Sequence, residues 1–114
     1  MKPKAIIGLV VTATVKGKNK KKKLKAKVDT GADKSSIDTT LASQLGLGPV
    51  IKTKKIWSAV GGMVRPVIKA DIKINGKELN SDFTIADRAH MTYKVLIGKN
   101  TLRKMHVLID PNKK

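Results

Sequence analysis

The sequence contains no cysteine. Disulfide staples and thiolate metal sites are therefore excluded, and a domain of this size must be held by its core alone. Aromatic residues are almost as scarce: Trp57, Phe83 and Tyr93 are the only three. A single-strand nucleic-acid binder that stacks bases on aromatic platforms is poorly provided for by such a set. No apolar run approaches the ~20 residues of a membrane-spanning helix, so no membrane association is expected. The short apolar run Ala5 to Val11 lacks a small-residue cleavage pattern and reads as a first strand, not a signal peptide. Carboxylates are few as well. Eight acidic residues against 25 basic ones leave a net charge of +17. That excess favours acidic partners such as RNA, ribosomes or an acidic peptide, although a solvated lysine-rich surface accounts for it equally.

What the chain has is room for one domain, spanning 1–114, with a modest core and no internal repeat or linker. Its focal stretch is Lys27-Val28-Asp29-Thr30-Gly31-Ala32-Asp33. Leu24, Ala26 and Val28 alternate with lysines, the pattern of a strand with one buried face. The strand delivers Asp29 to its end, and Thr30 and Gly31 then turn the backbone and leave room for close approach. A carboxylate at a buried strand end is costly unless paired, hydrogen-bonded or used. Asp-Thr-Gly alone is a weak motif, so context decides. The context is a second element, Val95-Leu96-Ile97-Gly98-Lys99-Asn100, in which apolar residues lead through a glycine into a helix-like segment.

The rest of the pattern is mostly strand. Ala5 to Val15 is rich in Val, Ile and Thr; Lys16 to Lys23 reads as a charged hairpin turn; Lys34 to Asp38 reads as a short strand. Thr39 or Thr40 is expected to cap a helix over Leu41 to Leu45, ended by Gly46. Val50 to Ala59 and Met63 to Ile74 read as a hairpin whose tip is Val60-Gly61-Gly62-Met63, and Asn75-Gly76 is a strong turn into Lys77–Ile85. Pro66 must avoid a central ladder position. Tyr93 to Ile97, Asn100 to Lys104 and His106 to Ile109 read as strand, short helix and strand.

With these pieces in place the chain resembles the retropepsins, half-size aspartic peptidases that act as dimers. The resemblance implies a mainly all-β fold: a closed retropepsin-like acid-protease β-barrel with one or two short helices. A two-lobed relative would need a second Asp-Thr-Gly, which is absent. It implies that Asp29, Thr30 and Gly31 are catalytic, with Thr30 bonding across a twofold axis. Ala32 and Asp33 would face the substrate backbone, and Val60, Gly61, Gly62 and Met63 would form a flap over it. Leu96, Ile97, Gly98 and Lys99 would support the Asp29 loop from beneath. Viral members carry Arg where Lys99 stands, paired with the acid equivalent to Asp33, so an Asp33–Lys99 ion pair is expected, looser than one made by the Arg fork.

The stretches Val28-Asp29-Thr30-Gly31-Ala32, Arg65-Pro66-Val67, Phe83-Thr84-Ile85-Ala86-Asp87-Arg88, Val95 to Asn100 and Val107-Leu108-Ile109-Asp110-Pro111 look most like the prokaryotic RimB-like branch. That resemblance implies a cytoplasmic homodimer acting on peptides, with acidic, glutamate-rich tails as substrate and Arg65 and Arg88 as candidate tail contacts or structural ion-pair partners. The branch has also carried the label "ATP-dependent zinc protease". The residues do not fit it: there is no His-Glu-x-x-His, no Gly-Lys-Ser/Thr loop, and His90 and His106 lack ligand spacing, so no metal or cofactor is expected. The competing reading is a catalytically weak dimer of the same fold that binds ribosomes, RNA or peptides through its lysines.

Overall fold

The computed structural model of the chain describes residues 5–58 and 61–114. Among these residues nine strands and two short helices run β1 (Ile6–Ile7), β2 (Val10–Lys16), β3 (Lys21–Val28), β4 (Ser35–Asp38), α1 (Thr39–Leu45), β5 (Lys52–Ser58), β6 (Gly61–Ile74), β7 (Lys77–Ala86), β8 (Val95–Ile97), α2 (Lys99–Met105) and β9 (Leu108–Ile109). Seven of them form one sheet in the order β2-β3-β8-β4-β7-β6-β5, and a further β2–β6 pairing closes it. The result is a six-stranded barrel with β5 outside it.

Strand β6 is the hinge of this closure. Along it Ile68, Ala70, Ile72 and Ile74 are buried while Lys69, Asp71 and Lys73 are exposed, the period of two that a half-buried strand requires. Its inner end pairs with β2 (Ala13↔Ile74) and its middle with β7 (Ile68↔Phe83). Its outer end, from Gly61 to Pro66, pairs with β5 alone. The β5–β6 hairpin therefore projects beyond the barrel. Pro66 sits in this one-sided section, where its missing N–H interrupts no central ladder.

The barrel is filled by Phe83, Ile37, Ile68, Ile72, Ile74 and Ile97, each almost fully withdrawn from solvent. Each such side chain contributes roughly 1.5–3 kcal/mol. Helix α1 buries Leu41, Ala42 and Leu45 and ends at Gly46, which takes φ 67 and donates its N–H to Ala42 and Ser43 carbonyls. Asn75 and Gly76 both take positive φ, 52 and 78, as a two-residue hairpin turn demands.

Several expected boundaries moved. The first strand is two strands, broken at Gly8 and Leu9, and the Lys113 carbonyl lies where a Gly8 side chain would be, 2.4 Å from an ideal Cβ. The β2–β3 turn is only residues 17–20, so Lys21, Lys22 and Lys23 belong to β3. Neither threonine caps α1. Asp38 does, accepting the Leu41 N–H at 3.3 Å. Strand β9 pairs in parallel with β1 of its own chain, Ile6↔Leu108 and Ile7↔Ile109. Among the described residues, no helix is long and apolar enough to cross a membrane.

Candidate active site

Asp29 is the first residue past β3, and its place is fixed from three directions. Its N–H donates to the Ile97 carbonyl at 2.9 Å, continuing the parallel β3–β8 ladder by one rung. Its carbonyl accepts the Ala32 N–H at 3.3 Å, closing a tight turn. Its Oδ1 accepts the Gly31 N–H at 2.9 Å. The side chain is thus half-buried and aimed by its own loop, while Thr30 and Gly31 are exposed. Gly31 leaves little spare space, since an added Cβ would stand 3.2 Å from Asp29 Oδ1.

Beneath the loop two chain segments cross. β8 lies between β3 and β4, and the chain leaving it at Gly98 passes directly under residues 32–34. Lys99 N–H donates to the Ala32 carbonyl at 2.8 Å and Asn100 N–H to the Asp33 carbonyl at 3.2 Å. An ideal Cβ on Gly98 would meet the Lys34 carbonyl carbon and oxygen at 2.6 Å and the Ala32 oxygen at 2.9 Å, all backbone atoms. Only a residue without a side chain lets the crossing come this close. Of the four residues expected beneath the loop, Ile97, Gly98 and Lys99 meet it through their main chain, and Lys99 Nζ stands 2.9 Å from Asp33 Oδ1. That hydrogen bond and charge hold the Asp33 carboxyl below the usual carboxylate range, helped by Lys54 of β5 and Arg103 of α2. Both partners face solvent, so screening leaves the pair weak.

A buried hydroxyl–amide ring stabilises the crossing. Ser35 N–H donates to Asn100 Oδ1 at 2.8 Å, which fixes the orientation of that amide. Ser35 Oγ then lies 3.0 Å from Asn100 Oδ1 and 2.5 Å from Thr101 Oγ1; Ser81 Oγ lies 2.7 Å from Thr101 Oγ1. Asn100 Nδ2 donates to Asp82 O at 2.8 Å and toward Ser81 Oγ at 3.4 Å. One assignment satisfies every contact: Ser35 donates to Asn100, Thr101 to Ser35, Ser81 to Thr101, and Asn100 to Ser81. Gly98 N–H donates to Ser35 Oγ at 2.9 Å, tying the ring to the crossing. Local pattern gave no sign of this ring, because its members come from β4, β7 and α2.

The hairpin glycines are not at a tip. Gly61 pairs with Ser58 and Gly62 with Trp57, which places both in the ladder, and Val60 lies outside the described residues. Gly62 is covered by the Trp57 ring, 2.9 Å from an ideal Cβ, and Trp57 itself is 75% exposed. Met63 and Val64 are exposed beside it. Arg88 is a buried residue. Its N–H donates to Asp38 Oδ1 at 2.8 Å and its Nε to the Tyr93 carbonyl at 2.9 Å. Burial lowers the pKa of its guanidinium, as does the nearby Arg65, while Asp38 and Asp29 raise it. The Asp38 carboxyl is pushed up by burial, but the Arg88 and Leu41 N–H groups outweigh this and hold it below the usual range. His90 and His106 are exposed. Among the described residues no group of three or more His, Cys, Asp or Glu side chains is placed to hold a metal.

A closed six-stranded barrel, a projecting hairpin and an Asp-Thr-Gly loop laid over a glycine crossing define a retropepsin-like domain. The chain belongs to the RimB-like family: the sequence model of that family, described as retropepsin-like aspartic endopeptidase RimB, matches residues 43–114. The matched span takes in the hairpin and the Gly98 crossing and leaves out the Asp29 loop. A crystal structure of a protein of unknown function from Legionella pneumophila subsp. pneumophila str. Philadelphia 1 has a similar fold, with a TM-score of 0.66, 20% identity, and coverage of 96% of this chain and 95% of that one. No curated protein sequence matches the chain.

Proposed function

We propose that the chain is an aspartic endopeptidase working as a homodimer, with one Asp29 from each protomer. The observation that carries this reading is the Asp29 loop: a half-buried carboxylate braced by the Gly31 amide above the Gly98 crossing. One carboxylate cannot both activate a water and protonate the carbonyl oxygen. A twofold axis beside the loop supplies the second. Two carboxylates about 3 Å apart do not both ionise, a behaviour established for aspartic proteases as a class. The ionised member takes a proton from the water they share, and the water oxygen attacks the scissile carbonyl carbon. The protonated member gives its proton to the carbonyl oxygen. Collapse of the tetrahedral intermediate breaks the C–N bond as a proton passes to nitrogen, and the pair again shares one proton.

The other residues take supporting roles. Thr30, exposed in the single chain, hydrogen-bonds across the axis. Ala32 and Asp33 face the backbone of an extended substrate, and the hairpin bearing Gly61, Gly62 and Met63 closes over it. Acidic, glutamate-rich tails suit a chain of net charge +17, which would concentrate them near the cleft. Arg65, half-buried on the hairpin, is the better placed of the two arginines to touch such a tail, because Arg88 is committed to Tyr93.

The test is Asp29→Asn, assayed on acidic and apolar peptide libraries beside sedimentation. Cleavage should vanish while fold and dimer persist. A wild-type protein that stays monomeric at every workable concentration refutes the proposal. The charge excess favours a second reading, a catalytically weak dimer that binds ribosomes, RNA or peptides. It predicts no cleavage by the wild type and binding that survives Asp29→Asn.

A further inference from the structure

We propose that the outer face of β2 and β3 docks the phosphate backbone of a nucleic-acid duplex. On β3, Leu24, Ala26 and Val28 turn toward the core, and Lys21, Lys23, Lys25 and Lys27 are exposed. Alternate side chains on a strand stand about 7 Å apart, so the four ammonium groups form a row of about 20 Å. Their cross-strand partners on β2 are Lys16, Thr14, Thr12 and Val10, with no carboxylate among them. The ion pairs among the described residues use Lys16, Lys52, Lys69 and Lys99, and none uses a lysine of the row. Solubility alone does not call for an unbroken run of one sign, since any of these positions would accept Thr or Glu and lose the mutual repulsion.

A second observation lies beside the row. An open groove of about 460 Å³ runs against β2, walled by Lys23, by Lys73 of β6 and by Lys113 and Lys114 of the C-terminal tail, with Thr12 and Thr14 on its lining. Among the described residues, no Asp or Glu lines it. Lysines from three separate parts of the chain converge there on a strand that carries hydroxyls. Lys113 Nζ also donates to the Ile6 carbonyl at 2.5 Å, which fixes the tail along the groove.

These features fit nucleic acid better than an acidic peptide. An extended peptide gains affinity by adding to a free sheet edge. β2 offers little of one here: β3 flanks it along its length and β6 flanks its other side from Ala13 to Lys16, which leaves only the three residues Val10 to Thr12 outside the β6 pairing. The face offers repeated positive charge and hydroxyl donors, with no aromatic platform. That is a surface for phosphates, contacted without reading bases. A duplex, whose bases are already stacked, suits it better than a single strand that needs stacking partners.

The test is fluorescence anisotropy of a labelled RNA duplex across a salt series. Three proteins are compared with wild type: Lys21→Gln/Lys23→Gln/Lys25→Gln, the equally charged Lys52→Gln/Lys54→Gln/Lys55→Gln on the hairpin, and Asp29→Asn. The row variant should show a log affinity–log salt slope shallower by about 2–3, since each duplex phosphate contact contributes about 0.9. The hairpin variant and Asp29→Asn should keep a slope near wild type, so the outcome is independent of peptidase activity. Circular dichroism checks the fold, and Lys23→Gln alone, with a slope change of about 1, serves if the triple variant unfolds. Equal losses in both triple variants, absence of binding at low salt, or row-dependent binding of polyglutamate tighter than RNA would each overturn the proposal.

Discussion

Replacing Gly98 by alanine tests the architecture of the site most directly. Gly98 has φ −93 and ψ −176, extended backbone open to any residue, so conformational strain plays no part. The cost is purely steric. The new methyl would sit 2.6 Å from the Lys34 carbonyl group and 2.9 Å from the Ala32 oxygen. To reach the 3.4 Å of ordinary contact, backbone must retreat by about 0.8 Å. No side chain can swing aside, because every atom met is main chain. Overpacking of this kind costs about 1–3 kcal/mol. The retreat also stretches the bonds from Lys99 N–H to Ala32 O and from Asn100 N–H to Asp33 O, each worth about 1 kcal/mol. A loss near 3 kcal/mol is expected, a large share of the roughly 5–15 kcal/mol that a domain possesses.

The same displacement lifts the loop that aims Asp29. A misplacement approaching 1 Å lowers turnover on the order of 100-fold, and kcat should fall accordingly in whatever fraction stays folded. Urea unfolding followed by far-UV circular dichroism is the right assay, because Trp57 is exposed in the folded chain and reports little on the core. Gly62→Ala is the internal control. Its methyl would also come within 2.9 Å of a neighbour, but that neighbour is the exposed Trp57 ring, which can rotate away. Its cost should stay within about 0.5 kcal/mol. If Gly98→Ala unfolds at the same urea concentration as Gly62→Ala, the reasoning from backbone crowding is wrong.

Asp38→Ala removes the α1 cap and the acceptor of the buried Arg88 N–H, and urea unfolding should show a loss of about 2–4 kcal/mol. Because the folded Asp38 carboxyl titrates below its unfolded value, the unfolded chain binds more protons in the window between them. The stabilisation is therefore present above the unfolded pKa and lost as pH falls through the folded one, and Asp38→Asn should blunt the fall in urea midpoint between about pH 5 and pH 2. Ser35→Ala takes the acceptor from Gly98 N–H and opens the buried ring, so a loss of about 2 kcal/mol and faster hydrogen exchange at the Gly98 amide are expected. Lys99→Met should return the Asp33 carboxyl toward its ordinary value in an NMR titration while leaving the unfolding midpoint almost unmoved.

What could be read from the sequence was whatever a short window encodes. Alternation along Leu24, Ala26 and Val28 located the strand before Asp29. Gly46 marked the end of α1, and Asn75-Gly76 marked a turn that only left-handed residues fill. The Asp33–Lys99 pair followed from motif position and stands at 2.9 Å. What escaped depends on contacts between distant segments. Asp38 looked like the last residue of a strand, and it is one; that it also caps α1 and holds Arg88 needs two further elements in place. Position 8 has no room for a side chain because of a carbonyl 105 residues further along the chain. The glycines of the hairpin suggested a flexible tip, whereas their register puts them in β6, one of them beneath Trp57.

The arrangement of the chain ends bears on how a dimer could form. Here β1 and β9 pair with each other, reinforced by Leu108 N–H to Ala5 O and Asp110 N–H to Ile7 O. Hydrogen bonds that a partner would supply are thus made within one chain, and the barrel closes through β2–β6 without help. A dimer of this chain would have to rest on the Asp29 loops, the hairpins and exposed apolar residues such as Ile6, Leu9 and Leu108. Folding and association would then be separate equilibria: dilution would dissociate folded protomers, each left with a single Asp29. On the proposed mechanism such a protomer is intact but inert, so activity would follow dimer concentration while the circular dichroism spectrum stays constant.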